Sequence, residues 1–240
     1  MDQAPENTRS AFDLALTHPI DGIELDVQMT SDGVLVIHHD PTIKRTTGES
    51  KRIAECRHDE LLGVDWGSWF SDSFRNERIA TLEDTVRRFA DRTRLLIEIK
   101  SHPEDRLSGR SLDIATSVVS LLQKSVPRED ENNILILSFD PAVLDRARDG
   151  AWPLVLNIEN PLDDKLVLPD WVFAYSASVD TLDLSIAKRW HDMGKRVMTW
   201  SCNTQQDMDT ANDIACDVIM TDRPGWAVAY QSSKDGAHES

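Results

Sequence analysis

The stretch DGIELDVQMTSDGVLVIHHD, residues 21–40, decides how the chain folds. Its first part, 21–27, and its last, 33–39, are rich in Ile, Val and Leu and read as two strands. Only Gln28 to Gly33 separates them, with Ser31-Asp32-Gly33 as the turn. A parallel pair needs a crossover of about a dozen residues, so these two strands form an antiparallel hairpin. Within the first strand Glu24 and Asp26 are two apart and share a face, while Ile23, Leu25 and Val27 point the other way. Such a strand either has a solvated polar face or contributes to a site.

Outward from the hairpin, helices and strands alternate. Further strands are predicted at 94–100, 133–139, 152–158, 170–176, 196–201 and 216–222. Helices are predicted over TRSAFDLAL (8–16, with Asn7 or Thr8 as cap), 81–90 capped by Thr81, about 111–124, from Pro141 onward, 182–195 and near 205–213. The alternation implies a parallel sheet with helical crossovers. Eight strand segments include the return leg of the hairpin, which leaves seven parallel strands. An eight-stranded α/β barrel is one short, and the count places the missing strand ahead of residue 1. The length of 240 residues suits one such barrel. No repeat, low-complexity run or Pro/Gly linker interrupts it, so one domain is expected over 1–240, with its core at about 4–230 and 231–240 a disordered polar tail.

A composition of 40% hydrophobic and 28% charged residues is that of an ordinary globular chain. The net charge of −16 argues against nucleic-acid binding and against stable association with anionic membranes. An anionic substrate stays open, because a bound cation inverts the local field. Three cysteines, Cys56, Cys202 and Cys216, make no disulfide framework and point to a reducing compartment, the cytoplasm. No apolar run approaches a membrane span and no leader precedes the first helix, although an incomplete N-terminus would hide one.

The acidic pattern recurs in RLLIEIK, 94–100, where Glu98 and Lys100 share one face and Ile97 and Ile99 the other. Parallel sheets are covered on both faces, and charges within them collect at the C-terminal mouth, where barrel active sites lie. If Glu24, Asp26 and Glu98 converge, two carboxylates about 4 Å apart repel by roughly 4 kcal/mol at an effective dielectric near 20. Lys100 offsets one charge of three. A divalent cation resolves the remainder, and all-oxygen ligands select Mg²⁺ or Ca²⁺ over Zn²⁺. The hairpin places residue 26 opposite 38–39, so one of His38 and His39 faces the acids as a general acid/base candidate while the other packs elsewhere. Trp200, at a strand end, is a candidate substrate contact. Trp66, Trp69 and Phe70 read foremost as loop packing, with an entrance lining as the alternative. Arg45 and Arg223 read as ion-pair or capping residues, and Asp222 as a loop anchor or a pocket residue.

In order along the chain, APENTRSAFDLAL, DGIELDVQMTSDGVLVIHHDPTIKRTTG, VDWGSWF, IATLEDTV, LLIEIK, LSFD, RVMTWSCN and VIMTDRPG resemble the glycerophosphodiester phosphodiesterases, over about residues 4–225. The resemblance implies a TIM-like (β/α)8 barrel, one divalent cation, and hydrolysis of a small-molecule glycerophosphodiester to sn-glycerol 3-phosphate and an alcohol. By position it implies Glu24, Asp26 and Glu98 as metal ligands, His39 as a catalytic histidine and Lys100 as the phosphate contact. Family members carry a strand ending in His-Arg-Gly shortly before PENT, with a second catalytic histidine and a phosphate-binding arginine. Only Met1, Asp2, Gln3 and Ala4 precede Pro5 here, so impaired turnover is expected of the chain as it stands. The alternatives are a non-catalytic phosphodiester-binding homologue and a phospholipase D-like lyase of the same barrel type.

Overall fold

A computed structural model describes residues 2–127, 130, 133–163 and 167–238. Thr8 caps the first helix, α1 (Arg9–Ala15), by accepting from the Ala11 N–H. The chain then enters β1 (Gly22–Met29) and returns as β2 (Leu35–Ile37). Gly33 turns the hairpin at φ +85°, a left-handed conformation that favours glycine. Short helices α2 (Lys44–Thr47) and α3 (His58–Leu62) lead to α4 (Leu82–Phe89), capped by Thr81 as predicted. Then come β3 (Arg94–Ile99), α5 (Pro103–Ser108), α6 (Arg110–Ser125), β4 (Ile134–Ser138) and α7 (Pro141–Ala147). The remaining elements are β5 (Leu154–Ile158), β6 (Ala174–Ser178), α8 (Leu184–Asp192), β7 (Arg196–Trp200), α9 (Gln205–Asp213), β8 (Val218–Ile219) and α10 (Pro224–His238).

One curled eight-stranded sheet runs in the order β2-β1-β3-β4-β5-β6-β7-β8. Every ladder is parallel except β1–β2, so the hairpin and the seven parallel strands are as expected. Among the described residues no ladder joins β8 to β1, and the barrel stands open on that side. Phe12, Leu25, Ile97 and Ile99 belong to the large apolar layer between sheet and helices, while Leu96, Leu137, Val155 and Met198 fill the inside of the sheet. No helix among the described residues is long and apolar enough to cross a membrane.

Two expectations are corrected. Strand β6 covers Ala174–Ser178 rather than 170–176, because Trp171 packs ahead of it under Arg148, 4.9 Å from the guanidinium. Of the segment 231–240, expected to be disordered, residues 231–238 are helical as part of α10, while 239–240 lie outside the described residues. Anchors one turn apart hold it: Trp226 stacks on Tyr230 at 5.6 Å, the Tyr230 hydroxyl donates to Asp209 at 2.6 Å, and Gln231 pairs with Asn212 at 3.0 Å.

Candidate active site

Strands β1 and β3 lie in register, with Asp26 beside Glu98. Alternation sends Leu25, Val27, Ile97 and Ile99 into the outer core and Glu24, Asp26, Glu98 and Lys100 to the inside. Carboxylate oxygens of Glu24, Asp26 and Glu98 all lie within 4.8 Å of one another. Lys100 Nζ reaches Asp26 Oδ1 at 2.8 Å and Glu98 Oε1 at 2.5 Å. Asn157 on β5 donates to Glu98 Oε2 at 3.0 Å. Asn7, at φ +56°, donates its amide to Asp26 Oδ2 at 2.7 Å and accepts the Asp26 N–H at 3.2 Å.

Glu24 is the odd member. Its Oε1 is shielded from solvent and has no hydrogen-bond partner among the described residues. Burial first, and then the charges of Asp26 and Glu98, push its carboxyl well above the usual range. Burial also raises Glu98, against the opposing pull of Lys100. Burial disfavours the Lys100 charge, but Asp26 and Glu98 outweigh it and the ammonium is held above its ordinary value. Three acids share one ammonium, and Glu24 Oε1 keeps lone pairs that no described group of the chain meets. An all-oxygen donor set of this kind fits a hard divalent cation.

The hairpin settles which histidine faces this cluster. The His38 N–H donates to the Asp26 carbonyl at 2.9 Å, which places 38–39 opposite residue 26 as expected. His38 turns outward and is buried edge-on against Trp66 at 5.3 Å. His39 lines the cavity, and its Nδ1 lies 2.8 Å from Asp40 Oδ1. Buried Gln28 on β1 donates its side-chain amide to the carbonyls of His38 (2.8 Å), His39 (3.3 Å) and Asp40 (2.6 Å).

A cavity of about 1190 Å³ holds the cluster, and Trp200 at the end of β7 and Asp222 in the segment after β8 line it. Phe139, which follows β4 and was not singled out in the sequence, meets Trp200 edge-on at 5.9 Å. Trp66, Trp69 and Phe70 do not line the cavity; they pack their own loop, with indole N–H donation from Trp66 to Leu61 and from Trp69 to Trp66. Arg45 and Arg223 form ion pairs, as read from the sequence. Asn7, Asn157 and Gln28 were missed as site residues. Only Asn7 left a signal, and it read as a helix cap, a role that Thr8 fills.

A curled, mainly parallel sheet carrying acids, a lysine and a histidine on its inner face has the layout of a barrel enzyme. Over residues 1–226 the chain matches the glycerophosphoryl diester phosphodiesterase family. It belongs to that family, and its class is that of the phosphoric diester hydrolases. YhdW of Bacillus subtilis, provisionally named a glycerophosphodiester phosphodiesterase, is 34% identical over 247 aligned residues, covering 99% of this chain and 95% of that protein. Solved structures agree in fold. A protein from Silicibacter pomeroyi superposes with a TM-score of 0.86 at 21% identity, covering 98% of this chain and 90% of its own. An Oleispira antarctica phosphodiesterase, solved in complex with the product sn-glycerol-3-phosphate, gives 0.83 at 23% identity, with 97% and 92% coverage.

Proposed function

We propose that the chain hydrolyses a glycerophosphodiester to sn-glycerol 3-phosphate and an alcohol, using one divalent cation, Mg²⁺ or Ca²⁺. The observation that carries this reading is the orphaned Glu24 Oε1 within a cluster of three carboxylates that one lysine cannot neutralise. Glu24, Asp26 and Glu98 hold the cation. When bound, it supplies positive charge against the phosphoryl oxygens, where negative charge develops.

The other roles fall to the chain's own groups. Lys100 has three N–H donors, and its two carboxylate partners leave one for a phosphate oxygen. His39 exchanges a proton with the reacting oxygens at Nε2, a contribution worth about 10²–10⁴-fold in rate. Trp200, with Phe139 against its edge, bounds the cavity beside the substrate. The product held by the Oleispira relative supports a glycerol-phosphate ligand. Three free thiols fit a cytoplasmic setting.

The test is turnover of glycerophosphocholine followed by phosphorus NMR. The expected product is sn-glycerol 3-phosphate, with activity abolished by EDTA and restored by Mg²⁺ or Ca²⁺. Turnover that resists the chelator sinks the cation reading, and a cyclic phosphate product converts the assignment to a lyase. Binding of the diester without turnover makes the chain a non-catalytic binder.

A further inference from the structure

We infer that Asp40, Arg45 and Glu6 form a positioning relay that holds the His39 ring with Nδ1 protonated and Nε2 presented to the cavity. The relay rests on the reading of His39 as the acid/base group. Each of its links includes a contact of 2.8 Å or less. His39 Nδ1 sits 2.8 Å from Asp40 Oδ1. Arg45 Nε donates to Asp40 Oδ2 at 2.7 Å, and Arg45 Nη2 to Asp40 Oδ1 at 3.3 Å. The other side of the same guanidinium meets Glu6 in a two-bonded fork, at 2.7 Å from Nη1 and 2.5 Å from Nη2. The Trp69 ring lies 5.8 Å from the guanidinium carbon.

The chemistry of each link explains the order. A neutral imidazole has two tautomers, and a carboxylate only accepts hydrogen bonds, so contact with Asp40 selects the form with hydrogen on Nδ1. That leaves the Nε2 lone pair free for proton transfer. The His39 side chain is 54% exposed, and among the described residues Asp40 is the partner its ring meets, so Asp40 is the protein group that biases its tautomer. Arg45 keeps Asp40 ionised and holds its carboxylate with two hydrogen bonds. Glu6, whose side chain is 11% exposed, anchors Arg45 from the loop before α1. Exposed ion pairs add about 0–1 kcal/mol to stability, so what the relay contributes is orientation. Because Glu6 is followed by Asn7, which holds Asp26, one loop clamps both the acid cluster and the histidine.

Nitrogen-15 NMR of the imidazoles in the full chain tests this, at about pH 8, above the ordinary histidine range. The His39 signal is assigned by its loss in His39→Gln. The native chain should show His39 as the Nδ1–H tautomer. Asp40→Asn, whose amide also donates, should move it toward Nε2–H, and Arg45→Gln should move it part of the way. A native ring on Nε2–H, or one unmoved by Asp40→Asn, overturns the relay whatever the activity. Arg45→Lys keeps the charge but loses the fork, and serves should Arg45→Gln fail to fold. In turnover, Asp40→Asn should lower kcat about 10²-fold or more with KM within about twofold, since a wrong tautomer removes acid–base help. In a His39→Gln background the same change should be silent. Full activity of His39→Gln would instead refute the acid/base reading and leave the tautomer result standing.

Discussion

Glu24 is the residue at which stability and the proposed chemistry pull apart. Its charge is the least compensated of the cluster: Asp26 has Lys100 and Asn7, Glu98 has Lys100 and Asn157, and Glu24 Oε1 has no donor among the described residues. Glu24→Gln should therefore stabilise the cation-free chain by on the order of 1 kcal/mol, read as a higher melting temperature, because it removes a shielded carboxyl that nothing compensates. The same variant should lose cation binding by calorimetry; a variant that melts lower and still binds contradicts the role given to Glu24. Asp40 behaves oppositely. Burial pushes its carboxyl up, but the hydrogen bonds from Arg45 and His39 overcome this and bring it down to about 2. Its unfolded value is near 3.9, so its stabilising share is complete above about pH 4 and is lost as pH falls toward 2. In urea titrations, native and Asp40→Asn chains should differ at neutral pH and converge over that acid window.

At the level of elements, the β1–β2 hairpin builds most of the site. A one-residue slip would turn Glu24 and Asp26 outward and bury them against Phe12 and Ile97. Register is held by the pairs Val27↔Ile37, Gln28↔Val36 and Met29↔Leu35, and by Gln28 reaching across to residues 38–40. Gln28→Met keeps the volume and removes the donors. Three carbonyls then lose a shielded partner, and the expected cost is about 1–3 kcal/mol, read from chemical unfolding. Activity should fall with it, because the same carbonyls belong to the segment carrying His39 and Asp40. An unchanged unfolding midpoint would show that the amide is idle. The hairpin itself was readable from the short link between two apolar runs. Its polar staple was not, since a glutamine on the inner face of a strand gives no sign of which carbonyls lie opposite.

For the molecule as a whole, the acids sit on the inner face of a curled sheet whose interior Leu96, Leu137, Val155 and Met198 fill, with the side between β8 and β1 left open among the described residues. The fold thus gathers three carboxylates in one place, and the proposed cation would relieve their repulsion. Mg²⁺ or Ca²⁺ at a hundredfold excess over Kd should stabilise the chain by about 2.7 kcal/mol. That is a rise of roughly 5–10 °C in melting temperature for a chain of this size, followed by scanning calorimetry. A melting curve indifferent to both cations would remove the support that the acid cluster gives. The strand count, seven parallel and one returning, was legible because crossover lengths forbid any other pairing of 21–27 with 33–39. The end of β8 and the run of α10 were less so. Polar residues 231–238 carry no apolar period, and the contacts that hold the helix, Tyr230 to Asp209 and Gln231 to Asn212, come from α9.

The sequence by itself determined the alternation of elements, the hairpin, the face shared by Glu24 and Asp26, and that shared by Glu98 and Lys100. These are local matters, set by a side-chain period of two and by the length of a link. It also narrowed the acid/base candidate to His38 or His39, without saying which on geometric grounds alone. Only the tertiary structure decided that His38 packs on Trp66 and His39 faces the cavity. It also brought Asn7, Asn157 and Glu6, from distant positions, onto Asp26, Glu98 and Arg45. Those partners are chosen by the curl of the sheet and the packing of the loop before α1 over its mouth, and no periodicity in a chain records which neighbour a folded surface will supply.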